Sequence, residues 1–170
     1  TRQLANCGSY RMLVTGNYSS GSYSALTFLQ SDPNVNHTCK SSGVVVQHNA
    51  MAMLNSLDRT PPSGVAGTAI LLSGGGNGLA IRRNTIYSPD SQVSGYPPAR
   101  WLANMGESAD PAEALLVIDG NIAPAGDNWI KASGLGFGGA SIDGRTTAAR
   151  VTNNIFGGGS ALTCAGGRTC

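Results

Sequence analysis

The chain has 170 residues, enough for one domain with a buried core, and carries a formal net charge of +2 with only 12% charged side chains. So weak and scattered a positive charge gives no footprint for nucleic acid or an anionic membrane surface, and no apolar run reaches the roughly 18–20 residues of a membrane span. Apolar residues at 41% together with 24 glycines exclude a disordered polar tract and point to many tight turns around stacked small side chains.

Taken in chain order, short strand-like stretches recur. The first is Leu4-Ala5-Asn6. "RMLVTGNYSSG" follows, with Asn17 between two runs, and then Leu29-Gln30-Ser31. "GVVVQHNAMAM" places Asn49 in the same setting, ahead of Leu71-Leu72-Ser73. "GLAIRRNTIYS" does so for Asn84, ahead of Leu102-Ala103-Asn104; "LLVIDGNIAPA" does so for Asn121, ahead of Lys131-Ala132-Ser133. "ARVTNNIFGGG" supplies Asn154. These asparagines are 32, 35, 37 and 33 residues apart, and three residues before each stands Val14, Val46, Ile81, Ile118 or Val151. Self-similarity at such a period is the signature of a solenoid.

Each repeat therefore contains a strand, a variable turn, a second strand, an Asn corner and a third strand. Apolar residues alternate over four to six positions, and Val, Ile and Thr cluster there, which suits strands. Gly74-Gly75-Gly76, Pro61-Pro62 and Pro97-Pro98 interrupt any helical reading, apart from a short helix around Asp110 to Ala114. Asn suits the corner because it tolerates left-handed backbone and its amide both donates and accepts. Asparagines stacked at about the 4.8 Å strand spacing would bond to one another as a ladder of Asn17, Asn49, Asn84, Asn121 and Asn154.

The [VI]xxN corner at residues 14–17, 46–49, 81–84, 118–121 and 151–154 resembles that of the right-handed parallel β-helix, or pectin-lyase-like, superfamily. The resemblance implies an all-β chain, a solenoid of about five coils forming a single domain over 1–170. Long insertions are expected at 31–42, 55–67, 89–99, 106–114 and 134–149. It implies fold rather than activity, because the superfamily holds polysaccharide lyases, hydrolases, tailspikes and adhesins.

Cys7, Cys39, Cys164 and Cys170 form no CxxC pair and no zinc spacing with His37 or His48. They read as two disulfides of an oxidising compartment or as four buried or free thiols. In the coil arrangement that the resemblance implies, Cys7 and Cys39 occupy corresponding turns. The expected pairs are then Cys7–Cys39 and Cys164–Cys170, one at each end.

Lyases of this superfamily use a Lys or Arg base beside neutralising charge, and the matching set here is Arg100, Lys131 and Asp127. Trp101 and Trp129 are candidate sugar platforms, and Arg82, beside Arg83, is a candidate cation for an anionic sugar. Solvated surface charge, and Trp as a core or loop anchor, are the plainer readings. The nine acids are dispersed, without the carboxylate pair a glycoside hydrolase needs. His48 has no acid or nucleophile beside it in the pattern.

Asn36-His37-Thr38 and Asn17-Tyr18-Ser19 are N-glycosylation sequons. Asn36 lies in an insertion and is open to modification in a eukaryotic source, whereas Asn17, as a ladder residue, is expected to be buried; chance occurrence is the default reading of both. No cofactor or metal is expected.

Thr1 is not an initiator Met and no signal peptide precedes it, so the chain reads as a mature product, a trimmed product or a fragment. It begins inside a coil, without an amphipathic helix over the open end. Leu4, Leu29, Leu71 and Leu102 fall at one strand position; if Ala5, Leu72, Ala103 and Ala132 point inward, those leucines form an outward stripe needing cover. Self-association or a larger assembly is therefore expected, with polysaccharide as a further partner and no nucleic acid or membrane insertion. The sequence reading is a secreted or surface-exposed structural or binding module, of a cell or a virion; the alternative is a polysaccharide lyase or other carbohydrate-active enzyme.

Overall fold

The computed structural model describes residues 3–5, 11–22, 24–29, 41–53, 68–73, 75–87, 101–107, 112–123 and 130–156. The strands, numbered in chain order, fall into three sheets. The first sheet stacks β1 (Gln3–Ala5), β4 (Ser24–Leu29), β7 (Thr68–Ser73), β10 (Trp101–Glu107), β13 (Ile130–Ser133) and β14 (Gly136–Phe137). The second stacks β2 (Leu13–Thr15), β5 (Val44–Gln47), β8 (Leu79–Arg82), β11 (Leu116–Asp119) and β15 (Ala149–Thr152). The third stacks β3 (Tyr18–Ser22), β6 (Ala50–Met53), β9 (Thr85–Tyr87), β12 (Ile122–Ala123) and β16 (Ile155–Phe156).

The chain visits the three sheets in fixed order and returns to the first, so each strand pairs in parallel with the strand one circuit on. The antiparallel pair β13–β14 is the exception. The chain is thus all-β with stacked parallel sheets, as the repeat predicts.

The inner face explains the periodicity. Val14, Val46, Ile81, Ile118 and Val151 are in register across the second sheet. The last four are 0–5% exposed. Met51, Ile86 and Ala123 of the third sheet, and Ile70, Leu72, Ile130 and Ala132 of the first, join them in one apolar cluster. With strands of two to seven residues, no circuit encloses a core alone; stacking neighbours completes it. Thr68, in register with Ser24 and Trp101, is fully buried and its Oγ1 has no hydrogen-bond partner.

Two expectations are corrected here. The four leucines do not share a position: Leu4 pairs with Phe28, Leu29 with Ser73, and Leu71 with Thr27 and Asn104. Leu102 and its strand neighbour Ala103 are both buried, so β10 is covered on both faces there and Leu102 belongs to no exposed stripe. Strands this short and this rich in Leu and Ala carry little register information, and a one-residue slip exchanges the faces.

The second correction concerns the helix. Glu113 forms a β-bridge with Thr146. The helix is α1 (Gly139–Arg145), inside the expected 134–149 insertion, where it contacts β13 and β14 and sends Ile142 into the core. Gly144 permits that contact, since a Cβ there would stand 2.7 Å from Leu135 Cδ1.

Candidate functional site

The asparagine corners form a continuous hydrogen-bonded ladder. The Nδ2 of Asn17 donates to Asn49 Oδ1 (3.0 Å), Asn49 to Asn84 (2.9 Å), Asn84 to Asn121 (3.0 Å) and Asn121 to Asn154 (2.9 Å). Each Oδ1 also accepts the backbone N–H of the preceding rung, at 2.9–3.1 Å. The second hydrogen of Nδ2 goes to the carbonyl of the apolar inner residue one circuit back: Asn49 to Val14, Asn84 to Val46, Asn121 to Ile81 and Asn154 to Ile118. An interior rung thus uses both amide hydrogens and both lone pairs, so a polar group sits beside the core without penalty.

The left-handed backbone belongs to the residue before each asparagine, not to the asparagine itself. Gly16, His48, Arg83, Gly120 and Asn153 have φ of 67°, 53°, 49°, 66° and 56°. The asparagine is selected for its amide, while the preceding residue absorbs the bend. That conformation is free for Gly and mild for Asn but costs an arginine roughly 1 kcal/mol.

Asn17 is exposed rather than buried, because it is the terminal rung. Its amide hydrogens are nevertheless engaged by Asn49 Oδ1 and Thr15 O.

On the outer face of the second sheet, Arg82 is in register with Gln47 and Asp119, and Asp119 with Thr152. Arg82, Arg83 and Arg150 are exposed. The Oδ1 of Asp119 accepts from Thr152 Oγ1 (2.8 Å) and Asn153 Nδ2 (2.9 Å). Those two bonds, Thr152 first, hold its carboxyl below the usual range against an opposing desolvation, with the charges of Arg150 and Arg82 each adding less.

Across the third sheet, Tyr18 and Tyr87 reach over the intervening circuit to place their hydroxyl oxygens 3.2 Å apart. That bond with Tyr18 raises the pKa of Tyr87. Ile122 and Ile155 are exposed on the same face, in register with Thr85 and with each other.

Sequence reasoning passed over a buried charge. Glu113 is 2% exposed, and its Oε2 and Oε1 accept the backbone N–H groups of Gly76 (2.9 Å) and Gly78 (2.8 Å). Arg145 is equally buried and donates through Nε to Met105 O at 3.0 Å. Their signal was that neither follows the alternation of a strand, which is too little to mark them beforehand.

Of the lyase set, Lys131 is half-buried in β13, in register with Asn104 and opposite Phe137. Arg100 and Asp127 lie outside the described residues, as do Trp129, Asn36 and all four cysteines of the expected disulfides. Trp101 opens β10, paired with Thr68. Among the described residues no three His, Cys, Asp or Glu side chains converge to hold a metal ion. No protein-family model, curated protein or solved structure matches the chain.

Proposed function

We propose that this chain is a right-handed parallel β-helix of the pectin-lyase-like kind, serving as a rigid module of an extracellular fibre, spike or surface assembly that contacts carbohydrate. The observation that supports this reading most is the unbroken amide ladder. Its four side-chain links tie successive circuits at one corner, giving a stiff rod that presents side chains at fixed intervals.

The ends of the ladder support assembly. Among the described residues, Asn17 Oδ1 accepts no hydrogen bond at one end, and the Asn154 backbone N–H donates none at the other. Each is the group the other would bond, so a second ladder is the complementary partner. On this reading the cysteines form Cys7–Cys39 and Cys164–Cys170 and pin the end circuits.

The test is the mass and assembly state of the native particle, measured alongside incubation with uronate polymers. Defined oligomers or filaments, with no gain in ultraviolet absorbance from unsaturated product, are the expected result. Turnover that disappears in Lys131→Ala would instead establish the lyase alternative.

A further inference from the structure

We propose that the corner between the second and third sheets is a binding site for an anionic glycan, with Arg82 and Arg83 as its cations and His48 as a neighbouring hydrogen-bonding group. The proposal rests on the reading of the chain as a binding module. Three observations carry it.

The first is backbone conformation. Every circuit turns this corner through a left-handed residue, and three circuits fill it with Gly or Asn: Gly16, Gly120 and Asn153. The two adjacent circuits between them use His48 and Arg83, both exposed. Strain kept where Gly would relieve it marks a position held for its side chain.

The second is placement. The backbone N–H of Arg83 donates to Asp119 O at 2.9 Å and that of His48 to Arg82 O at 3.3 Å, so both corners are anchored to the circuit that follows. A Cβ on Gly120 would lie 3.3 Å from Arg83 Cγ. Gly120 therefore leaves room for the arginine stem to run along the stack. Neighbouring circuits repeat at about 4.8 Å, which lines these groups up along the axis rather than around it.

The third is unspent charge. The guanidinium groups of Arg82, Arg83 and Arg150 make no hydrogen bond or ion pair with the described residues. Asp119, in register with Arg82, is turned to Thr152 and Asn153 instead. Three exposed guanidinium groups are thus set against one carboxylate whose Oδ1 is already bonded, and only Arg82 and Arg150 act on it, through their charge. Guanidinium recognises a carboxylate or sulfate through paired N–H donors. The same row offers Thr15, Gln47 and Thr152, which suit sugar hydroxyls, and a net charge of +2 is too small for a nucleic-acid surface.

Equilibrium binding of the intact chain to alginate (carboxylated), dextran sulfate (sulfated), uncharged dextran and single-stranded DNA tests this, at roughly 50 and 200 mM salt. Binding to at least one acidic glycan, weakened by salt and absent for dextran, is expected; the two acidic arms tell carboxylate from sulfate. Arg82→Gln and Arg83→Gly should each lose affinity by roughly tenfold. Arg83→Gly should also melt no lower than the parent, because Gly suits the corner, which separates lost binding from lost folding. Parent-like affinity in both variants, no binding to either acidic glycan, or stronger binding to DNA would overturn the site. Assembly state is read separately, so a monomeric particle that binds through Arg82 and Arg83 refutes the assembly and keeps the site.

Discussion

Each interior ladder asparagine joins three circuits, so its loss is felt by neighbours that do not move. Asn84→Ala would leave the Asn49 amide and backbone N–H without Asn84 Oδ1, and would take one donor from Val46 O and one of two from Asn121 Oδ1. A buried unpaired group costs about 1–3 kcal/mol, so a loss of roughly 3 kcal/mol is expected. Asn154→Ala, at a half-buried end rung, should cost only about 1 kcal/mol. Urea denaturation of the two variants measures the difference. Asp119 makes a separate claim on pH. Its pKa is lower folded than unfolded, so its contribution is present above the ordinary carboxylate pKa of about 3.9 and fades as pH falls through the folded value. Melting curves of Asp119→Asn should accordingly depend less on pH below about pH 4 than those of the parent.

Strands and turns divide the labour differently. The strands of the second sheet hold the core, and the turn before it is fixed by Glu113, whose carboxylate replaces a ladder bond to Gly76 and Gly78. Glu113→Ala should destabilise by about 3 kcal/mol, because one buried and one part-buried N–H group lose a charged acceptor. Thr68→Val should do the reverse, gaining about 1 kcal/mol by replacing a buried hydroxyl that bonds to nothing with a methyl group of similar shape; thermal melts of both variants check the signs. The second and third strands of each circuit were legible because a Val or Ile at a fixed distance from an Asn marks both. The first strands were not: Leu71-Leu72 and Leu102-Ala103 fit either face, and only the pairing of Leu71-Leu72 with Thr27-Phe28 and of Ala103-Asn104 with Ile130-Lys131 chooses one. Helix α1 was hidden for a related reason. "GASIDGR" has two glycines and one large apolar side chain, and Ile142 earns its place only through β13 and β14.

For the molecule as a whole, open strand edges matter more than any single contact. Among the described strands, β2 and β3 pair on one side only at one end of the stack, and β15 and β16 do so at the other. Edges of this kind template further pairing unless charge blocks them. Leu13 and Ile155, 57% and 64% exposed, lie on these edges. Light scattering over a concentration series should show association of the parent, and Leu13→Lys with Ile155→Lys should shift it towards the smaller species.

The sequence alone determined the repeat, the alternation and the corner asparagines. These are local patterns, and their spacing survives however the chain is read. It also determined which side chains line the second sheet, because one position three residues before each Asn recurs five times. Tertiary structure decided the register of the first sheet, the burial of Glu113 and Arg145, and which corner residue is left-handed. Each of those depends on a neighbouring circuit more than 30 residues away, whose hydrogen bonds and side chains settle a choice that the local sequence leaves balanced.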